Sequence, residues 1–198
     1  MVATTPNKKT HLVMRTADET GHFSPVDYIR CIIPPEFHTE KPSGTTAKRL
    51  SINKTDATEG YTMEAVSAIR SNDVAALRYM LENGHPFDAC NANGEHLIHL
   101  ACRRAAPETV EFLINEAKVN VNVADSMGRT ILHDVCWKSS PDTDMMSTVL
   151  QMLPPELLLA KDIRGHTPFD FARKEHWPVW IQFLSDNQEM IQEKLFAQ

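Results

Sequence analysis

Apolar residues return at three- and four-residue steps along much of this chain, with polar residues between them. Val74, Leu77 and Leu81 form one stripe, Val110, Leu113 and Ile114 a second, and Val149, Leu150 and Leu153 a third. That spacing predicts short amphipathic helices, each with one face to bury. Pro178-Val179-Trp180-Ile181-Gln182-Phe183-Leu184 predicts another. After a break at Ser185-Asp186-Asn187, Met190, Ile191 and Leu195 predict a final amphipathic segment that covers the end of the array. The boundaries carry their own signals. Asn72-Asp73 can cap one helix, and Pro107, Pro141 and Pro178 suit the first turns of others. Gly84 suits a left-handed helix end, with Ala117 at the matching place one unit on, and Pro154-Pro155 stops a third helix.

The helices belong to a repeat. Glycines recur at Gly60, Gly94, Gly128 and Gly165, at intervals of 34, 34 and 37 residues, and the same neighbours travel with them. From Gly94 the chain reads G-E-H-L-I-H-L-A-C, from Gly128 G-R-T-I-L-H-D-V-C, and from Gly165 G-H-T-P-F-D-F-A-R. The copy at Gly60, G-Y-T-M-E-A-V-S-A, is the most degenerate. The extra residues of the third unit fall in 138–144, as a longer loop between its helices. No helix pair of this size can bury its stripe alone, so the units must stack.

The shared form G-x-T-P-L-H-x-A resembles the ankyrin repeat over about residues 57–186. The resemblance implies an all-α solenoid of about four helix-turn-helix units, near 59–90, 91–124, 125–161 and 162–186, within a domain of 59–186. Residues 187–198 would form a C-terminal capping helix. It also implies that His99 and His133 hydrogen-bond the backbone of neighbouring units. Asp170 and Ala65 replace that histidine in the end units.

Residues 1–58 differ in character. They carry eight basic and six acidic residues and are rich in Thr, Pro and Lys, so most of this leader is expected to lack structure. Ser24-Pro25-Val26-Asp27 has the form of a cap followed by a first-turn proline, and it feeds Ile29, Ile32 and Ile33 before Pro34-Pro35. That predicts a short helix near 25–33, docked on the first repeat as a cap, with a detachable interaction motif as the alternative. Lys48-Arg49-Leu50-Ser51 has the form of a basic-directed kinase target, which makes Ser51 a candidate phosphosite.

Composition narrows the function classes. No run reaches the roughly 20 apolar residues of a membrane helix, and the start of the chain lacks a secretory apolar core. Its first 17 residues carry three basic and no acidic side chains, a composition a transit peptide shares. Four cysteines in 198 residues do not suggest a disulfide framework, so a reducing, intracellular compartment is expected, cytoplasmic first, with nuclear or organellar placement as alternatives. A monomer is also expected.

Cys90, His96, His99 and Cys102 raise the alternative of a zinc-associated or cysteine-dependent enzyme or redox protein. Their C-x5-H-x2-H-x2-C spacing matches no common zinc pattern, and the repeat places both Cys102 and Cys136 in its buried seam. No phosphate loop or nucleophile elbow is present. No cofactor and no catalytic or metal residue is therefore expected. A nucleic-acid-associated scaffold is a further alternative, opposed by a repeat region with 12 basic and 20 acidic residues.

What remains is a non-catalytic protein-binding module. In ankyrin-like arrays partners usually meet the concave side, made of hairpin tips and first helices. Twenty positions of this chain map there, and they hold seven basic and three acidic residues in a chain of net charge −6. The expected contact residues are Tyr61, Arg70, Glu95, Arg103, Arg104, Met127, Arg129, Trp137, Lys138, Arg164, His166 and Lys174. The expected partner is an acidic protein segment, with Trp137 as anchor and arginines as carboxylate forks. On this reading, reversing Arg103 and Arg129 to Glu would abolish binding and spare the fold.

Overall fold

The computed structural model describes residues 23–38, 58–104 and 106–197. Ser51 and the basic start of the chain lie outside them. The described residues form nine α-helices and several 3-10 turns, without a strand ladder. The helices are α1 (Pro25–Ile32), α2 (Met63–Arg70), α3 (Val74–Glu82), α4 (Leu97–Arg104) and α5 (Pro107–Asn115). They continue with α6 (Ile131–Cys136), α7 (Thr143–Met152), α8 (Trp177–Asp186) and α9 (Gln188–Phe196).

Two rows of helices result. The inner row runs α2, α4, α6 and then a 3-10 turn at Pro168–Phe171, each packed on the next. The outer row runs α3, α5, α7, and each outer helix also packs on the inner helix of its own unit. Their facing stripes make one continuous core in which Ile69, Leu77, Leu97, Leu113, Ile131, Leu132, Val149 and Leu150 are fully buried. Each such side chain contributes about 1.5–3 kcal/mol by leaving water. The chain is therefore an all-α solenoid of helix pairs.

The helix starts follow local chemistry. Thr62, Asp73 and Asp142 cap α2, α3 and α7 by accepting from Ala65, Ala76 and Met145 amides at 3.2, 2.9 and 3.0 Å. Pro107 opens α5 and Pro178 lies in the first turn of α8. Pro141 is not a first-turn residue. The Asp142 carboxylate takes the cap position, which puts Pro141 one residue before the cap.

The left-handed position after the outer helix also differs from the sequence expectation. Gly84 has φ +80°, but in the next unit the matching residue is Lys118, at φ +54°, and not Ala117. Hairpin glycines Gly94, Gly128 and Gly165 are left-handed, at φ +70°, +74° and +86°. Gly60 is needed for a different reason: a side chain there would drive its first carbon to 1.9 Å from the Pro86 carbonyl oxygen.

The largest departure concerns α1. It docks on the last repeat, not the first. It packs against α8 and the 3-10 turns Pro155–Leu159 and Pro168–Phe171. Tyr28 Oη donates to Gln188 Oε1 at 3.2 Å, and Gln192 Nε2 donates to the Ile32 carbonyl at 3.1 Å. The reason is apolar surface. In the first unit only Leu77 of α3 is fully buried and Tyr79 stays exposed, whereas the last unit brings Trp180, Phe183 and Leu184 to its outer helix. That end needs cover, and α1 together with Ile191 and Leu195 of α9 supplies it. Lys194 fastens α9 by donating to the Leu150, Gln151 and Leu153 carbonyls at 2.8, 2.9 and 2.8 Å, which neutralises the C-terminal end of α7.

Candidate functional site

The inner row is joined by hairpin-like tips, and each tip is built by one side chain. Asp125 Oδ1 accepts from the Met127 and Arg129 amides, both at 2.9 Å. Asp162 Oδ1 accepts from the Arg164 and His166 amides at 2.8 and 2.9 Å, and Asn91 Oδ1 does the same for Asn93 and Glu95 at 2.9 and 3.1 Å. The tips are tied to each other, since Ser126 donates to the Asn93 carbonyl and Ile163 to the Met127 carbonyl, both at 2.9 Å. Sequence reasoning missed these residues. The signal was present as Asn or Asp three positions before each of the last three glycines.

The repeat histidines brace the same tips. His99 Nδ1 accepts from the His96 amide at 3.2 Å, and its Nε2 lies 3.1 Å from the Arg129 carbonyl. His133 repeats this with the Thr130 amide at 3.0 Å and the His166 carbonyl at 3.2 Å. A ring that accepts at Nδ1 must carry its proton on Nε2, so both histidines are neutral donors to the next unit. Burial above all lowers His99 to about 4, and it lowers His133 as well. In the last unit Asp170 takes the histidine's position and accepts from the Thr167 amide and hydroxyl at 2.6 and 2.8 Å.

The seven basic residues among the expected contacts divide into two groups. Arg103, Arg129 and Lys138 are already committed to the chain's own acids. Arg103 pairs with Glu95 and, at 2.8 Å, with Asp134. Arg129 grips Asp125 Oδ2 through Nε and Nη2 at 2.8 and 2.6 Å, and Lys138 meets Asp142 at 2.6 Å. Asp134 is almost fully buried, and burial pushes its carboxyl up to about 7 against the pull of Arg103 and Arg129. Reversing Arg103 and Arg129 to Glu therefore cannot leave the fold untouched, because acid would meet buried acid. Arg70, Arg104, Arg164 and Lys174 are exposed and make no ion pair among the described residues.

Trp137 stands at the end of α6 with 51% of its surface exposed. Its ring stacks on Phe171, 5.1 Å between centroids, and the Arg129 guanidinium lies 5.9 Å over it. His166 meets the edge of Phe171 at 5.8 Å. The indole is thus held by its neighbours while half of it faces solvent. Met127 and Tyr61 are half-buried, and burial raises the Tyr61 phenol.

The thiols sit apart from this chemistry. Cys102 and Cys136 are buried in the seam, and burial drives both far above the usual thiol range. Both ring nitrogens of His99 are taken by backbone groups, so the Cys90–His96–His99–Cys102 spacing does not assemble a ligand set. Among the described residues, no three His, Cys, Asp or Glu side chains are grouped to hold a metal ion. No helix among them is long and apolar enough to cross a membrane.

Comparison with known proteins agrees with the unit derived above. Residues 62–152 match the family description of ankyrin repeats in three copies. A protein of Rickettsia bellii whose name records only ankyrin repeats is 23% identical over 158 residues, covering 77% of this chain and 84% of the relative. The glycine-centred repeat, the histidine braces between units and this match lead to one conclusion: over residues 62–152 the chain is similar to ankyrin repeats.

Proposed function

We propose that the chain is a non-catalytic module that binds an acidic segment of another protein on its concave side. The repeats support the general class, since ankyrin repeats generally mediate protein–protein interaction and the family is generally non-enzymatic. The observation that carries the specific reading is Trp137, half exposed yet held in place by Phe171 and Arg129. An aromatic side chain ordered before binding loses little entropy on contact, and Trp is prominent among binding hot spots. Arg70, Arg104, Arg164 and Lys174 supply cations that the chain does not itself neutralise among the described residues, and these would receive the partner's carboxylates. Arg103 and Arg129 serve as supports for the surface.

Selection of random peptides from a display library against the full chain tests this and requires no named partner. Enriched peptides should be acidic with an apolar anchor, and their binding should weaken with salt. Trp137→Ala should weaken it by about 2 kcal/mol or more, and Arg104→Glu should weaken it too. Peptides without acidic bias, or bound equally by Trp137→Ala, would overturn the assignment.

A further inference from the structure

A different surface, at the end of the array, holds a helix that comes from before the first unit. Ser24 and Asp27 form a reciprocal cap on α1, with Ser24 N to Asp27 Oδ2 at 3.1 Å and Asp27 N to Ser24 Oγ at 3.2 Å. Val26, Tyr28, Ile29, Ile32 and Ile33 turn one apolar face into the groove walled by α8 and the 3-10 turns Pro155–Leu159 and Pro168–Phe171. Phe37, just beyond α1, meets Phe196 of α9 edge-on at 5.9 Å. This is the geometry by which proteins take up amphipathic helices as ligands. Here the ligand is the chain's own segment.

We propose that α1 is a releasable tethered ligand and that its groove is a receptor for an amphipathic helix of the same pattern. An eight-residue helix is marginal alone, so α1 is helical because it is docked, and release lets it unravel. The 19 residues from 39 to 57 can span up to ~65 Å. That exceeds a stack of four units with roughly 10 Å between neighbouring helices. That number of residues is enough for α1 to leave its groove without unstacking a repeat. Because α1 and its groove belong to one chain, α1 is present at a high local concentration. A competing helix must overcome that local concentration, which makes α1 a gate on the groove.

The probe is a fluorescent peptide spanning Phe23 to His38, titrated against the full chain by anisotropy. The Ile29→Glu, Ile33→Glu double variant, whose own α1 can no longer fill the groove, should bind it at least about tenfold more tightly than the parent. Adding Trp137→Ala should not change this, which separates the groove from the concave face. Equal binding to parent and variant, or no binding to a variant with intact helical content, would overturn the proposal. Hydrogen exchange on the unmodified chain tests it independently of whether that variant folds. The α1 amides should exchange by local opening well before those of α4 and α6. Exchange of α1 only together with the core would show a permanent part of the fold and overturn the proposal.

Discussion

His133 Nε2 reaches out of its own unit to the carbonyl of His166, 3.2 Å away, while its Nδ1 accepts from the Thr130 amide at 3.0 Å. One neutral ring thereby joins the start of its own helix to the next tip. Its replacement leaves a donor and an acceptor unpaired in a buried place. His133→Ala should destabilise the domain by about 1–3 kcal/mol, read as a lower midpoint in chemical denaturation. An unchanged midpoint would show that the brace contributes nothing.

The two braces also set a pH dependence. Burial holds His99 at about 4 and lowers His133, whereas the unfolded chain titrates them near 6.5. Between those values the unfolded state binds more protons, so the stability from the neutral rings is complete above about pH 6.5 and is lost as pH falls toward the folded values. Asp134 acts in the opposite sense. Its folded value of about 7 means that the folded state holds the extra proton, so its contribution fades as pH rises from about 4 through 7. Denaturation midpoints at pH 5 and pH 7.5 should show a shallower acid loss in His99→Gln. In Asp134→Asn, stability relative to the parent should improve on going from pH 5 to 7.5.

Arg103 and Arg104 are sequence neighbours with different tasks. Arg103 lies between Glu95 and the buried Asp134, and Arg104 points to solvent. Arg103→Glu should destabilise the fold by about 3 kcal/mol, as loss of a buried partner does. Arg104→Glu should stay within about 0.5 kcal/mol of the parent. Thermal melts compare them directly, and equal melting would show that the Arg103 pairs carry no weight.

Lys194 offers a test of the C-terminal end. Lys194→Met keeps most of the side-chain length and removes the charge that meets the Leu150, Gln151 and Leu153 carbonyls. It should cost about 1–2 kcal/mol. Deleting residues 187–198 should cost more, because Gln188 and Gln192 also hold α1. A truncated chain that melts like the intact one would mean that α9 does not cap the array.

The sequence by itself determined what depends on near neighbours. The three- and four-residue stripes, the cap at Asp73, and the turn glycines Gly94, Gly128 and Gly165 are local, and helix pairs of that size must stack on copies of themselves. The histidine braces follow from the repeat because one period separates donor from acceptor. Other features needed the folded chain. Whether Arg103 is open to a partner depends on Asp134, 31 residues away, whose position the repeat does not dictate. Where α1 lands depends on which end of the stack exposes the greater apolar surface, and Tyr28 meets Gln188 across 160 residues. Periodicity fixes how each unit meets the next, because that contact recurs in every copy. The ends and the charge pairs occur once, so only the assembled three-dimensional surface decides them.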